Sequence, residues 1–174
     1  MIPSTTMPVL PDVLDVNLQV VFCGTAVGRV SAQIGAYYAG PGNKFWPTLY
    51  KIGLTPRLLK PQDYLSIRQY GLGLTDIAKE VSGADSILTP TDFDAVGLRT
   101  KILDYHPLNF AFNGKRAASE FYKTPTNKLL YGIQNASLGN TTMWILPSTS
   151  GAANGAWNES WWQTFADHLR QETK

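Results

Sequence analysis

The residues of this chain best suited to chemistry fall in three stretches of small side chains. The first, Gly24-Thr25-Ala26-Val27-Gly28, follows an apolar run and leads through Ser31, Tyr37 and Tyr38 to Gly40-Pro41-Gly42-Asn43. The second, Gly71-Leu72-Gly73-Leu74-Thr75, ends in the carboxylate of Asp76, and the third runs from Pro147 through Ser148, Thr149, Ser150, Gly151, Ala152 and Ala153 to Asn154. A carboxylate carried to a crevice can hold or deprotonate a water and oppose a developing positive charge, while backbone amides stabilise a departing anion. The first stretch has neither the GxGxxG spacing nor a following Gly-Lys-Ser/Thr, so phosphate cradling is disfavoured. Taken alone, it is equally a Gly-rich connector. Asp76 taken alone is nearly as well explained as the cap of a helix opening at Ile77.

Metal chemistry is not expected, because His106 and His168 are the only histidines, Cys23 is the only cysteine, and none has ligand spacing. Cys23 lies within an apolar run and reads as a structural thiol of a reducing compartment. No cofactor motif is visible. With 16% charged residues, 44% hydrophobic residues and a formal charge of +2, the composition is that of a globular chain that is not strongly basic. Any nucleic-acid contact must therefore use a local patch, for which Arg29, Lys44, Lys115 and Arg116 are the candidates. No apolar run approaches the ~20 residues of a membrane helix, and a cytoplasmic address is expected.

These stretches need elements to hold them. The length of 174 residues suits one core, read as an N-terminal arm over residues 1–17 and a single domain over residues 18–174. Leu18 to Cys23 reads as a buried strand with a working loop from Gly24, and Asn43 caps a helix to about Ile52. A helical segment enters through Pro61, and Ser82 to Thr91 reads as a polar surface loop. A helix follows over Asp92 to Tyr105, then a strand at Asn109 to Phe112, a helix at Arg116 to Tyr122, a strand at Thr142 to Leu146 and an aromatic helix at Asn158 to Gln171. Strands alternating with helices predict a three-layer α/β/α domain with a mainly parallel sheet. Ligands of such sheets bind beyond the carboxyl ends of the strands, so the loops at Gly24, Gly71 and Pro147 are expected to converge at one sheet edge.

The first stretch resembles the first motif of the mismatch-specific uracil/thymine-DNA glycosylases, a family of the uracil-DNA glycosylase superfamily. Gly24, Gly28, Tyr38, Pro41, Asn43, Phe45 and Trp46 fall in register with it. The segment Phe110-Ala111-Phe112-Asn113-Gly114-Lys115 and the run Ser148-Thr149-Ser150-Gly151 match later parts of the same pattern. The family's motif Asn, which positions the attacking water, falls at Ala26. Gly73-Leu74-Thr75-Asp76 looks like the branch that lacks this Asn and works with an aspartate.

The resemblance implies a uracil-DNA glycosylase-like fold and a monofunctional hydrolase of base-excision repair. Such an enzyme cleaves the N-glycosidic bond of uracil in DNA and leaves an abasic site, with no metal or cofactor. Asp76 would be the catalytic carboxylate. Gly24, Thr25, Ala26, Gly28, Ser31, Tyr38 and Asn43 would bind the flipped base, with Tyr38 stacking on it. Ser148, Thr149, Ser150, Gly151, Ala152, Asn154 and Lys115 would contact DNA. The family's wedge side chain falls at Ala152, which is too short to fill a vacated base position, so that Asn154 reaches in or insertion is weak. Expected partners are DNA and no membrane, the expected state is a monomer, and the expected address is nucleoid-associated cytoplasm or a nucleus. Two alternatives remain open: a glycosylase for hypoxanthine, xanthine or thymine opposite guanine, and a catalytically weak damage-binding module.

Overall fold

The computed structural model describes residues 7–173. A five-stranded sheet runs through its centre in the order β2-β1-β3-β5-β4. Its strands are β1 (Val20–Val27), β2 (Leu72–Ser82), β3 (Asn109–Asn113), β4 (Gly132–Ile133) and β5 (Thr142–Leu146). All pair in parallel except β4, which runs antiparallel to β5 at one edge. Parallel strands need crossovers, and crossovers cover both faces of the sheet. The strand sequences record this double burial: Val20 and Phe22 of β1 face one core with Trp144 and Leu146, while Val21 and Cys23 face the other with Phe110 and Phe112.

The helices α1 (Arg29–Ile34), α2 (Phe45–Lys51), α3 (Ala95–Tyr105), α4 (Lys115–Tyr122) and α5 (Glu159–Glu172) form the outer layers. Phe45, Trp46 and Leu49 of α2 pack with Trp162, Phe165 and Leu169 of α5 on the first face. There Phe22 meets Phe45 edge-on at 5.3 Å and stacks on Trp162 at 5.8 Å. Leu98 and Ile102 of α3 and Ala117, Ala118 and Phe121 of α4 cover the second. The expected three-layer α/β/α architecture is what the chain adopts.

Three expectations need correction. β1 does not stop at Cys23 but continues through Gly24 to Val27, so the working loop begins at Gly28. Gly71 to Asp76 is not a loop: Leu72–Ser82 is a strand, and Asp76 lies inside it opposite Gly24. Gly71 therefore stands at the amino end of β2 and does not join the other motif loops. The glycine at position 73 marks a close approach, since a Cβ there would lie 2.6 Å from the carbonyl oxygen of Val13. No helix opens at Ile77, which removes the capping role considered for Asp76.

The first six residues of the expected arm, and Lys174, lie outside the described residues. The rest of the arm docks along β2. Val13 exchanges two backbone hydrogen bonds with Leu74, each 2.9 Å, and the Val9 N–H donates to the Lys79 carbonyl. Leu10 and Val13 are buried. The arm thus covers what would otherwise be an open sheet edge.

Candidate active site

A cleft of about 790 Å³ opens where β1, β3 and β5 end, as expected for a parallel sheet. Its walls are drawn together by hydrogen bonds between segments far apart in sequence. Asn113, the last residue of β3, donates from Nδ2 to Thr149 Oγ1 (2.9 Å) and accepts the Thr149 N–H at Oδ1 (3.0 Å). The Lys44 N–H in turn donates to the Thr149 carbonyl (2.9 Å), which ties the Pro41–Lys44 turn to the loop after β5. These loops touch through glycine: a Cβ on Gly151 would stand 3.4 Å from the Pro41 carbonyl oxygen. Two tryptophans anchor the loops to the core, Trp46 Nε1 donating to the Tyr37 carbonyl and Trp162 Nε1 to that of Pro147, both at 2.9 Å.

Asp76 lies in the deep wall. The pairing of Gly24 with Asp76 and of Ala26 with Ala78 places Asp76 opposite one of the β1 residues that line the cleft and diagonal to another. Because Gly24 and Ala26 are two apart on one strand, they share a face, and the partner of Gly24 faces the same way. Asp76 is 3% exposed, and its Oδ2 has no hydrogen-bond partner among the described residues. The buried hydroxyl of Tyr38 likewise has none. Both groups converge on Gly24: a Cβ built there would lie 2.6 Å from Asp76 Oδ1 and 3.2 Å from the Tyr38 hydroxyl. Only glycine leaves room for that pair. Tyr38 holds a left-handed backbone (φ 54°), and its ring packs on Phe45 with centroids 4.1 Å apart.

The electrostatics follow from burial. Desolvation pushes the Asp76 carboxyl up to about 6; Lys79 opposes this and the charge of Asp12 adds to it. Burial and then the charge of Asp76 push the Tyr38 phenol up, which keeps it a neutral donor. Lys79 Nζ stands 3.7 Å from Asp76 Oδ2 but only 2.9 Å from Asp12 Oδ1. Asp12 is held below the usual carboxylate range: burial opposes its charge, but Lys79, Lys101 and a hydrogen bond from Thr75 outweigh that. The arrangement offers a cleft carboxylate that is ionised above about pH 6, with unfilled hydrogen-bonding capacity beside a neutral phenol.

The sequence model of the uracil DNA glycosylase superfamily matches residues 11–170. The chain belongs to that superfamily. A solution NMR structure of a candidate uracil DNA glycosylase from Methanosarcina acetivorans shares the fold, with a TM-score of 0.64 at 23% identity over 95% of this chain and 98% of the other.

In this member of the superfamily, the residues of the cleft wall include Gly24, Thr25, Ala26, Gly28, Ser31, Tyr38, Asn43, Asp76, Lys115 and Ser148 to Ala152, which the sequence had singled out. Several of them hold the walls as well as line them. Ser31 Oγ accepts the Ala39 N–H (2.9 Å), Asn43 Oδ1 accepts that of Phe45 at the start of α2 (3.0 Å), and Ser148 Oγ accepts that of Ser150 (3.2 Å). Lys115 lines the cleft with its ammonium 4.5 Å from the ring centre of Tyr131. Asn154 is the exception: it accepts a hydrogen bond from Lys44 and does not line the cleft. Reading Ser82 to Thr91 as a plain surface loop missed a wall, since Gly83 to Ile87 line the cleft, Ile87 with 66% of its surface exposed. The apolar pair Ile87-Leu88 within a polar run was the available signal. Asn113 belongs to the segment matched to the family pattern but was given no site role, and Asp12 and Lys79 left no local trace.

Among the described residues, no group of three or more His, Cys, Asp or Glu side chains is placed to hold a metal, and no helix is long and apolar enough to cross a membrane.

Proposed function

We propose that this cleft hydrolyses the N-glycosidic bond of uracil in DNA, as a monofunctional glycosylase of the mismatch-specific branch that works with an aspartate. One observation carries the reading: a buried, incompletely hydrogen-bonded carboxylate beside the strand position where that family's Asn would stand. A flipped base enters between Tyr38 and the loop after β5. Asp76 holds and polarises the attacking water and opposes the positive charge that builds on the sugar. The charge leaving with the base is met by backbone amides of the loops. Arg29, Lys115 and Arg116, all at the cleft, contact phosphate. Ala152 contributes only a methyl group to a wedge, so Ile87, the large apolar side chain at the same cleft, props the duplex.

The test uses labelled duplexes carrying uracil opposite guanine or adenine, with alkaline cleavage of abasic sites and a parallel sample in EDTA. Strand cleavage at uracil, unchanged by EDTA, is the expected result. Duplexes with hypoxanthine, xanthine or a G:T mismatch complete the series, and cleavage at one of these alone would reassign the substrate. Tight binding without cleavage of any duplex would make the protein a damage-binding module. Ala26→Asn in an Asp76→Asn background is expected to restore part of the activity, because position 26 faces the side of the sheet on which Asp76 lies.

A further inference from the structure

Asp12, on the docked arm, is held from three directions. Its Oδ1 accepts from Thr75 Oγ1 (2.7 Å) and pairs with Lys79 Nζ (2.9 Å), both on β2, while its Oδ2 pairs with Lys101 Nζ of α3 (2.6 Å). Lys79 Nζ also donates to the Tyr37 hydroxyl (3.0 Å), which itself donates to the Pro11 carbonyl (3.0 Å). That ammonium thus has two carboxylates within reach and hydrogen-bonds to the one on the arm. To Asp76 Oδ2 it stays at 3.7 Å, outside hydrogen-bond range. Neither Asp12, Lys79 nor Lys101 lines the cleft, so this cluster sits behind Asp76 and does not touch a substrate.

We propose that Asp12 is a positioning residue for Asp76: by engaging the Lys79 ammonium, it keeps the cleft carboxylate short of a full ion pair and therefore able to bind and polarise water. The inference rests on the preceding assignment of Asp76. The groups facing Asp76 are Lys79 on its own strand, Cys23 on β1, Tyr37 and Tyr38 on the segment after α1, Asp12 on the arm and Lys101 on α3. Of these, the lysines favour its ionised form and Asp12 opposes it. Removing the charge of Asp12 acts in one direction only. An anion is lost, two cations are released, and Lys79 needs to move only roughly 1 Å to hydrogen-bond Asp76 directly. The carboxylate would then be ion-paired and less basic.

The experiment follows the Asp76 carboxyl by ¹³C NMR titration of the full chain labelled at aspartate, with Asp76→Asn used to assign the resonance. The wild-type midpoint is expected near 6. In Asp12→Asn it should fall by about one unit or more, Asp12→Glu should return it most of the way, and the acid limb of single-turnover excision should move with it. Lys79→Gln carries the opposite sign, an upward shift, and serves if Asp12→Asn fails to fold. An unmoved Asp76 midpoint in either folded variant overturns the inference. The two readings fail separately: if Asp76→Asn excises like wild type while the Asp12→Asn midpoint moves, catalysis by Asp76 falls and the electrostatic link stands. If Asp76→Asn abolishes excision while Asp12→Asn leaves midpoint and acid limb in place, only the link falls.

Discussion

At the carboxyl end of β3, Asn113 and Thr149 satisfy each other through two hydrogen bonds, and every buried polar atom of that pair has a partner. One strand away, where β1 and β2 run side by side, Asp76 and Tyr38 converge on Gly24, and among the described residues neither Asp76 Oδ2 nor the Tyr38 hydroxyl has a hydrogen-bond partner. Asn113, Thr149 and Asp76 are buried, as is the hydroxyl of the half-buried Tyr38, and all four residues line the same cleft. A satisfied buried network fixes geometry, whereas an unsatisfied buried group costs stability until something fills it. The first cluster builds the cleft, and the second, on the proposed function, is the part of it that takes up a substrate and a water.

The largest effect that could break this comparison belongs to Asp76→Asn, which keeps size but removes charge. Single-turnover excision is expected to fall by roughly 10²–10⁴-fold with little change in affinity for uracil-containing DNA. Excision within threefold of wild type would leave the open cluster without a chemical role. Gly24→Ala should approach the same loss without removing a charged group, because its methyl group must displace the carboxylate or the phenol. Retained activity there would show that the convergence on Gly24 is dispensable.

Stability should sort the clusters in opposite directions. Asn113→Ala orphans the Thr149 hydroxyl and amide and is expected to lower the unfolding free energy by about 2–4 kcal/mol in denaturant titrations. Asp76→Asn should raise it. The unfolded carboxyl ionises near 3.8 and the folded one near 6, so the native state binds more protons between those values and loses stability as pH rises through the window. The cost is about 3 kcal/mol above pH 6 and vanishes below pH 4. The gain from Asp76→Asn should therefore be present at pH 7.5 and absent at pH 3.5. Tyr38→Phe, which deletes one unpartnered hydroxyl, is the smallest test: its melting temperature should equal or slightly exceed that of wild type, and a clear drop would reveal a partner for that hydroxyl.

Much of this arrangement was legible because apolar β-branched runs announce buried parallel strands, as they do for Val20 to Cys23 and for Thr142 to Leu146. β2 was not, because Gly71 and Gly73 read as loop punctuation. Gly73 is there to admit the Val13 carbonyl, a contact sixty residues away in sequence that no local pattern encodes. Asp76 was singled out as a carboxylate closing a small-residue run, with a helix cap nearly as good an account of it, and its element was misread. Asp12 did not stand out at all. Its partners Thr75, Lys79 and Lys101 come from β2 and α3, and only the folded edge brings them together.

That edge also has a time dependence. Backbone pairs along a sheet margin break more often than those between central strands, and amide exchange at Val9 and Val13 would count the openings. Whenever the arm lifts, the Lys79 ammonium loses its preferred anion, and Asp76 is the nearest one left. On the proposed roles of Asp76 and Asp12, each fluctuation of the arm would silence the carboxylate for as long as it lasts, so that the active fraction of molecules would equal the fraction with the edge closed.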